Sequence, residues 1–338
     1  MPSILRLLGP VGLSCLKRFR KLSEYSHYPY RFPLDLRFRH THEFALSIMN
    51  PFRIKFIFRG LDRADDRRAL FVFNHQSDFD PAALMMFLDQ PVGFLAKKKV
   101  CTFPIIKHIV NATDGNYLDR SDLRQQVKTI REISEKLKND PKMSFVIFPE
   151  GKRSQDPIEH SMSPYKPGAF KAAYLAKADI VVCALYGTYA MLQFNKPDRQ
   201  VYPVQVSFIA RITHEDYQHL STVELSKRVE QLTRDEVARM RELQPELEAY
   251  WNRPENARAF RRESRARMHA YFQWRKQEQK VDRLIYRLAK KDHPKGKRFV
   301  PIVYTREDAK NDRIAKRQRR AERQRFIRQY QEKNGRTA

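Results

Sequence analysis

A histidine and an aspartate five residues apart, His75 and Asp80, are the pair in this sequence best suited to acid–base chemistry. An imidazole takes up a proton near neutral pH, and a neighbouring carboxylate fixes its tautomer and stabilises the charged ring. On one continuous helix, five residues separate two side chains by about 140°, so the pair would not meet there. If His75 lies in a loop after a strand and Asp80 begins the next helix, the two can touch, and His75 becomes a candidate general base. The spacing alone fits equally well a loop histidine beside an aspartate that only caps the helix.

A second polar loop, FPEGKRS at Phe148–Ser154, follows another apolar run. Gly151 permits a tight turn there. Arg153 offers a planar fork of donors suited to a phosphate, and Lys152 adds a mobile point charge. We expect Glu150 to hold Arg153 or Lys152 in place. The alternative is an ordinary surface ion pair on a turn, which would contribute little to stability.

The elements that must position these loops alternate along the chain. Short apolar runs predict strands at ALFVF, VGFLA, MSFVIF, DIVVCALY and VQVSFIARI, and helix-like stretches lie between them at PAALMMFLDQ, residues 123–138 and KPGAFKAAYLAKA. The second of these helices places Val127, Ile130, Ile133 and Leu137 at amphipathic spacing. Such alternation predicts an α/β fold with a mostly parallel central sheet flanked by helices.

Composition predicts an anionic partner. The 338 residues include 66 Lys+Arg against 39 Asp+Glu, for a net charge of +27. From Trp251 onward the counts are 28 and 10, so about +18 lies in the last quarter. Such a surplus is typical of proteins that bind nucleic acid or acidic lipid surfaces. The three cysteines have no C-x-x-C spacing, which argues against a disulfide framework or a cysteine zinc site and fits a reducing cytoplasm.

The N-terminal segment MPSILRLLGPVGLSCLKRFRK is apolar first and basic second, the reverse of a signal peptide. We interpret it as an amphipathic helical segment that lies in a membrane interface. The alternative is a surface helix that packs its apolar side chains on the domain; these would be Ile4, Leu5, Leu8 and Val11. No stretch reaches the ~18 apolar residues of a spanning helix.

Two motif blocks resemble those of the 1-acylglycerol-3-phosphate acyltransferases, in the wider glycerolipid acyltransferase family. NHQSDFD resembles the family's N-H-x-S-x-x-D block, and FPEGKRS resembles F-P-E-G-T-R-S. Gly115–Asp122 is similar to the block that ends in a phosphate-binding arginine, here Arg120, and DIVVCALYGT to the final apolar strand block. The resemblance covers residues 70–190. Two nearly complete blocks, each after a strand, are specific, whereas H-x-x-x-x-D by itself is weak.

This sequence departs from the family pattern at three places. Lys152 replaces the usual threonine and makes the loop more cationic. Val182-Cys183-Ala184 stands where the strand block customarily has a proline, and Val100 in AKKKV stands where an acidic residue is common. None of these changes touches His75 or Asp80.

The resemblance implies an enzyme that moves a fatty acyl group from acyl-CoA or acyl carrier protein to the free hydroxyl of lysophosphatidate, giving phosphatidate in phospholipid synthesis. His75, oriented by Asp80, would take the hydroxyl proton, and no acyl-enzyme, metal or cofactor would be needed. The resemblance assigns substrate binding to Arg120, Glu150, Gly151, Lys152 and Arg153. Lys166 is a further candidate for the phosphate site, with entry into the next helix as its other interpretation.

The same reading divides the chain into a membrane-associating segment (1–50), a catalytic domain (51–220) and a basic, mainly helical extension (221–338). It favours a peripheral or monotopic protein on the cytoplasmic face of an acidic membrane, with acyl carrier protein as a further candidate partner and nucleic acid less favoured. Two alternatives stay open. One is an acyltransferase for glycerol-3-phosphate or a lysophospholipid. The other is a non-catalytic basic protein that binds membrane or RNA on the same fold.

Overall fold

A seven-stranded sheet forms the centre of the protein in a computed structural model that describes residues 10–49, 52–65, 68–88, 90–154, 162–192, 200–300 and 304–333. The strand order is β1-β7-β6-β2-β5-β3-β4. Within the described ranges, all neighbouring strands are parallel except β6 and β7. The predicted α/β fold with a mostly parallel sheet is therefore confirmed. The strands are β1 Ile54–Arg59, β2 Ala69–Val72, β3 Val92–Lys97, β4 Asn116–Leu118, β5 Ser144–Ile147, β6 Asp179–Tyr186 and β7 Tyr202–Ile212.

Helices flank this sheet and continue beyond it. They are α1 Pro10–His27, α2 Leu34–Met49, α3 Asp80–Leu84, α4 Pro104–Ala112, α5 Leu123–Asn139, α6 Lys171–Ala176, α7 His214–Tyr217, α8 Thr222–Trp251, α9 Pro254–Asp292 and α10 Arg306–Lys333. The helix predicted at PAALMMFLDQ is regular only over α3, because Met86 and Phe87 bond to carbonyls three residues back and continue the chain as turns. No helix in the described ranges is both long and apolar enough to cross a membrane.

The core lies on both faces of the sheet. Leu70 and Val72 of β2 belong to a cluster completed by α5, α6 and α8, whereas Ala69 and Phe71 belong to a cluster with α2 and α3. This division follows from the two-residue repeat of a strand, which sends successive side chains to opposite faces. All four side chains are fully buried, which explains why β2 is a continuous apolar run in the sequence.

Segments on both sides of the predicted catalytic domain contribute to this core. Phe38 and Met49 of α2 join one cluster, and Leu225 and Val229 of α8 join the other. The boundaries at residues 50 and 220 stay predictions, and the packed core extends across both. The side chains of Ile4, Leu5, Leu8 and Val11 lie outside the described part of the molecule.

Helix α10 is fastened to the lysine-rich segment at the end of β3. Asp312 accepts from Lys97 at 2.5 Å and pairs with Lys99 at 3.4 Å, while Asp308 pairs with Lys98 at 2.9 Å. Tyr304 donates to the second oxygen of Asp312 at 2.5 Å. The lysines of AKKKV therefore hold the C-terminal helix against the sheet.

Candidate active site

The loop after β2 is fixed to the end of the neighbouring strand β6 by two buried amide side chains. Asn74 donates to the Leu185 carbonyl at 2.9 Å and accepts from the Leu185 amide at 2.8 Å. Gln76 accepts from the Gly187 amide at 3.0 Å. The loop backbone between Asn74 and Gln76, which carries His75, is thereby held on both sides.

His75 and Asp80 meet as predicted. Nδ1 of His75 lies 2.8 Å from Oδ2 of Asp80, which begins α3. The carboxylate also accepts from the Gln76 and Ser77 amides at 2.7 and 2.9 Å, and from the Thr188 hydroxyl at 2.5 Å. Asp80 thus bonds to the loop that precedes α3, so the alternative of an aspartate that only caps its helix is wrong.

The exposure of the pair suits proton transfer. Asp80 is fully buried, whereas 18% of the His75 side chain is exposed. A carboxylate bonded to Nδ1 fixes the tautomer in which Nδ1 carries the hydrogen and Nε2 presents its lone pair. Nε2 is then the atom that can take a proton from a substrate hydroxyl.

The two motif loops lie at the same edge of the sheet. The His75 ring stacks on Phe148, with 4.3 Å between ring centroids and 24° between ring planes. The Ser154 amide donates to the His75 carbonyl at 2.9 Å. Both ends of FPEGKRS therefore contact His75. The supporting roles of Phe148 and Thr188 were not predicted, although both residues lie within the quoted blocks.

The expectation that Glu150 holds Arg153 or Lys152 in place is wrong. Its side chain is 2% exposed, and its two oxygens accept from the His75 and Ser163 amides, both at 2.7 Å. Burial beside these backbone donors keeps it from holding Arg153 or Lys152. Burial also raises the pKa of Glu150 to about 7, although the hydrogen bonds donated by the two backbone amides act in the opposite direction and lower it.

Arg153 pairs instead with Asp78 of the first loop. The two charged groups are 2.9 Å apart and are 43% and 62% exposed, respectively. Because Asp78 is three residues from His75, this pair holds the guanidinium of Arg153 near the loop that carries the imidazole. Its role in binding phosphate stays a prediction.

Other cations surround the turn at Gly151. The guanidinium of Arg120 donates to the Gly151 carbonyl. Gly151 has φ +67°, and a Cβ there would lie 3.3 Å from both Arg120 Nη2 and Lys166 Nζ. Partial burial lowers the pKa of Lys166, and the positive charges of Arg120 and Lys152 lower it further. We call Arg120, Lys152, Arg153 and Lys166 the cation cluster. Such a concentration of positive charge beside one turn suits an anion.

A groove of about 530 Å³ runs from this turn along α5. Phe148 and Gly151 lie at its lining with Arg120 and Lys166 of the cation cluster. Its apolar lining includes Leu118, Leu123, Val127, Ile130 and Leu175. The α5 pattern predicted one buried face, but only Ile133 and Leu137 are fully buried, while Val127 is 45% exposed and faces the groove. An apolar groove with cations along its lining fits a hydrocarbon chain that carries an anionic group.

In the part of the chain that the structure describes, no group of three or more His, Cys, Asp or Glu side chains is arranged to hold a metal ion.

Known proteins share this site region. Residues 55–186 match the sequence model of the family described as Acyltransferase. The chain is 32% identical over 144 residues to a 1-acyl-sn-glycerol-3-phosphate acyltransferase of Chlamydomonas reinhardtii, which covers 43% of this chain and 41% of the relative. It is 26% identical over 153 residues to the Cocos nucifera protein of the same name, with 45% and 48% covered. The chain thus spans less than half the length of these curated relatives.

A solved structure is also similar. The 1-acyl-sn-glycerophosphate acyltransferase PlsC of Thermotoga maritima aligns at 21% identity with a TM-score of 0.49, over 68% of this chain and 95% of that one. The matched segment 55–186 contains His75, Asp80 and the FPEGKRS loop. This segment is therefore similar to the acyltransferase family that the sequence blocks resemble.

Proposed function

We propose that the protein transfers a fatty acyl group from an acyl thioester to the free hydroxyl of 1-acylglycerol-3-phosphate, giving phosphatidate. One observation carries the proposal: His75, held at 2.8 Å from the buried Asp80, stacks on the loop that bears Lys152 and Arg153. A base and an anion site at one sheet edge match a substrate that has a hydroxyl and a phosphate on one glycerol. The names of these relatives describe this activity for those proteins.

The proton path follows from the tautomer. Nε2 of His75 accepts the hydroxyl proton as the substrate oxygen attacks the thioester carbonyl carbon. The carbon–sulfur bond then breaks, and the imidazolium returns the proton to the leaving thiolate. Asp80 stabilises the imidazolium between these steps without taking the proton. Acid–base catalysis of this kind contributes about 10²- to 10⁴-fold to the rate.

The cation cluster would hold the acceptor's phosphate. Arg153 can exchange its exposed partner Asp78 for a phosphate dianion, and Lys152 and Arg120 lie around the same turn. Anchoring the phosphate sets the hydroxyl against His75, and positioning of this type can supply several kcal/mol of barrier reduction. We assign Glu150 to positioning the His75 backbone instead of contacting substrate.

The groove along α5 would receive an acyl chain. Phe148 is part of its lining and stacks on the His75 ring, so a hydrocarbon that contacts Phe148 would lie one ring away from the base. Acyl-CoA and acyl carrier protein both remain donors in this proposal, and the chemistry needs no further cofactor. We place the enzyme at the cytoplasmic face of an acidic membrane, where its lipid acceptor is found.

The test is an acylation assay with a labelled acyl thioester and a panel of acceptors. We expect lysophosphatidate to be acylated faster than glycerol-3-phosphate or lysophosphatidylcholine, because only it combines the phosphate monoester with an acyl chain. Faster acylation of either other acceptor would replace the proposed substrate. No acylation of any acceptor would favour the non-catalytic alternative.

A further inference from the structure

Helix α9 is attached to the rest of the protein by one face. Arg275, which is buried, donates to Glu43 of α2 and to Asp282 of its own helix, both at 2.6 Å. One turn further on, Tyr286 stacks on Phe32 with 5.3 Å between centroids and 5° between planes. These contacts fix which side of α9 faces solvent.

The solvent side of α9 carries an apolar stripe. Its members are all at least half exposed: Trp274 53%, Val281 53%, Leu284 57% and Leu288 50%. Spacings of seven, three and four residues place them within an arc of about 80° on a helix of 3.6 residues per turn. We call these four residues the α9 stripe. A row of large apolar side chains exposed to water on one face of a helix marks an interaction surface.

A row of cations lies beside the stripe. Exposed basic side chains follow at helical spacing on the side of the stripe away from the buried face: Lys276, Lys280, Arg283, Arg287 and Lys291. Helix α9 contains 12 Lys+Arg and 5 Asp+Glu, and one of those acids, Asp282, is engaged with Arg275 and Arg39. The exposed surface is therefore both apolar and strongly positive.

We propose that the α9 stripe and its cation row are a docking surface for an anionic lipid bilayer. The inference rests on the proposed function, which needs the site to meet a substrate that is dissolved in a membrane. A helix with an apolar strip, a basic strip and tryptophan at one end suits the interface, where the apolar residues enter the acyl boundary and the cations meet anionic headgroups. Nucleic acid would engage the cations but would give Val281, Leu284 and Leu288 no apolar environment.

Vesicle sedimentation tests this surface. The probes are vesicles that mix phosphatidylglycerol into phosphatidylcholine and vesicles of phosphatidylcholine alone. We expect the full chain to bind the mixed vesicles more tightly, and added salt to weaken that binding because it screens the cation row. Replacing Val281, Leu284 and Leu288 with serine removes burial of three apolar side chains and should weaken binding about tenfold or more.

The cation row needs its own variant. Lys276→Gln, Lys280→Gln and Arg287→Gln together should lower the partition coefficient about 10- to 100-fold on mixed vesicles, with a much smaller effect on phosphatidylcholine alone. The matched control for charge replaces exposed lysines far along the chain, namely Lys128, Lys138 and Lys142. The matched control for apolar surface replaces Val223 and Tyr250, which are both 48% exposed, with serine.

Wild-type binding by both the stripe variant and the cation-row variant would overturn the proposal. The proposal would also be overturned if the full chain failed to bind mixed vesicles but bound an RNA oligonucleotide in a gel-shift assay. Acylation in detergent micelles separates this inference from the proposed function, because micelles deliver the acceptor without a bilayer. Variants that lose vesicle binding but keep acyltransferase activity in micelles would support both the docking surface and the proposed function. A full chain that docks on vesicles without acylating any acceptor supports docking and contradicts the enzyme.

Discussion

The His75–Asp80 loop and the cation cluster lie at one sheet edge but are built in opposite ways. Asp80 is fully buried, and its oxygens accept four directed bonds. Arg153 and Asp78 are 43% and 62% exposed. The first region is fixed before substrate arrives, while the second gathers positive charge that a dianion would neutralise. We therefore expect changes in the first to act on kcat and changes in the second on KM.

Among the variants that keep His75, Asp80→Asn should lower activity most. The amide keeps the size of the side chain but no longer stabilises the imidazolium, and its NH₂ opposes a loop amide. We expect kcat to fall about 10²- to 10⁴-fold with KM for lysophosphatidate little changed. The matched control is Asp78→Asn, which removes a carboxylate from the same loop. Equal losses from both variants would break the distinction between the regions.

Glu150→Gln tests the residue that links them. Burial raises the pKa of Glu150 from its ordinary 4.5 to about 7. Stability from this group is therefore present below about pH 4.5 and is lost as pH rises to 7, because the unfolded chain releases a proton that the folded chain retains. Between pH 4.5 and 7.5 the free energy of unfolding of wild type should fall, relative to that of the Glu150→Gln variant, by up to about 3 kcal/mol.

Denaturant unfolding across that pH range measures the difference. If the difference in unfolding free energy between wild type and Glu150→Gln stayed constant, the hydrogen bonds from the His75 and Ser163 amides would hold Glu150 ionised at every pH tested. The pH–rate profile adds a second readout, since a positioning residue behind His75 should alter it while a remote stabilising residue would not.

Arg153→Ala tests the exposed region. Loss of one charge-assisted contact to phosphate should raise KM for lysophosphatidate about tenfold or somewhat more, with a smaller change in kcat. Initial rates across acceptor concentrations give both constants, and Lys142→Ala is the matched exposed-cation control. A purely kcat effect would place Arg153 with the catalytic loop instead.

The smallest effect is expected from Gly151→Ala. Its positive φ of 67° disfavours a side chain, and the new Cβ would press on Arg120 and Lys166. We expect a loss of about 1 kcal/mol in stability and a KM increase of a few fold, as the cluster spreads. Thermal unfolding and the same kinetic assay check it. Gly168→Ala is the control, because a Cβ there meets nothing within 4 Å.

Local patterns predicted the sheet and the His75–Asp80 pair because both depend on neighbouring residues. β2 and β5 are buried apolar runs, and a polar loop that follows a parallel strand reaches the strand's carboxyl edge. The shared location of the two loops was therefore predictable, although His75 and Glu150 are 75 residues apart in the sequence.

Contacts chosen between distant residues were not predictable in the same way. The sequence around Glu150 is equally compatible with an ion pair and with a carboxylate that accepts from backbone amides, and only burial decides between the two. Val127 continues an apolar helical pattern but faces the groove. Asp308 and Asp312 meet Lys97–Lys99 across more than 200 residues, and no local pattern in the sequence points to that pairing.

Lysophosphatidate acylation by wild type and His75→Ala, at saturating thioester and acceptor, tests whether His75 is the general base. We expect a rate about 10²- to 10⁴-fold lower in the variant, with lysophosphatidate binding retained because the cation cluster is intact. A variant that acylates lysophosphatidate at the wild-type rate would contradict it.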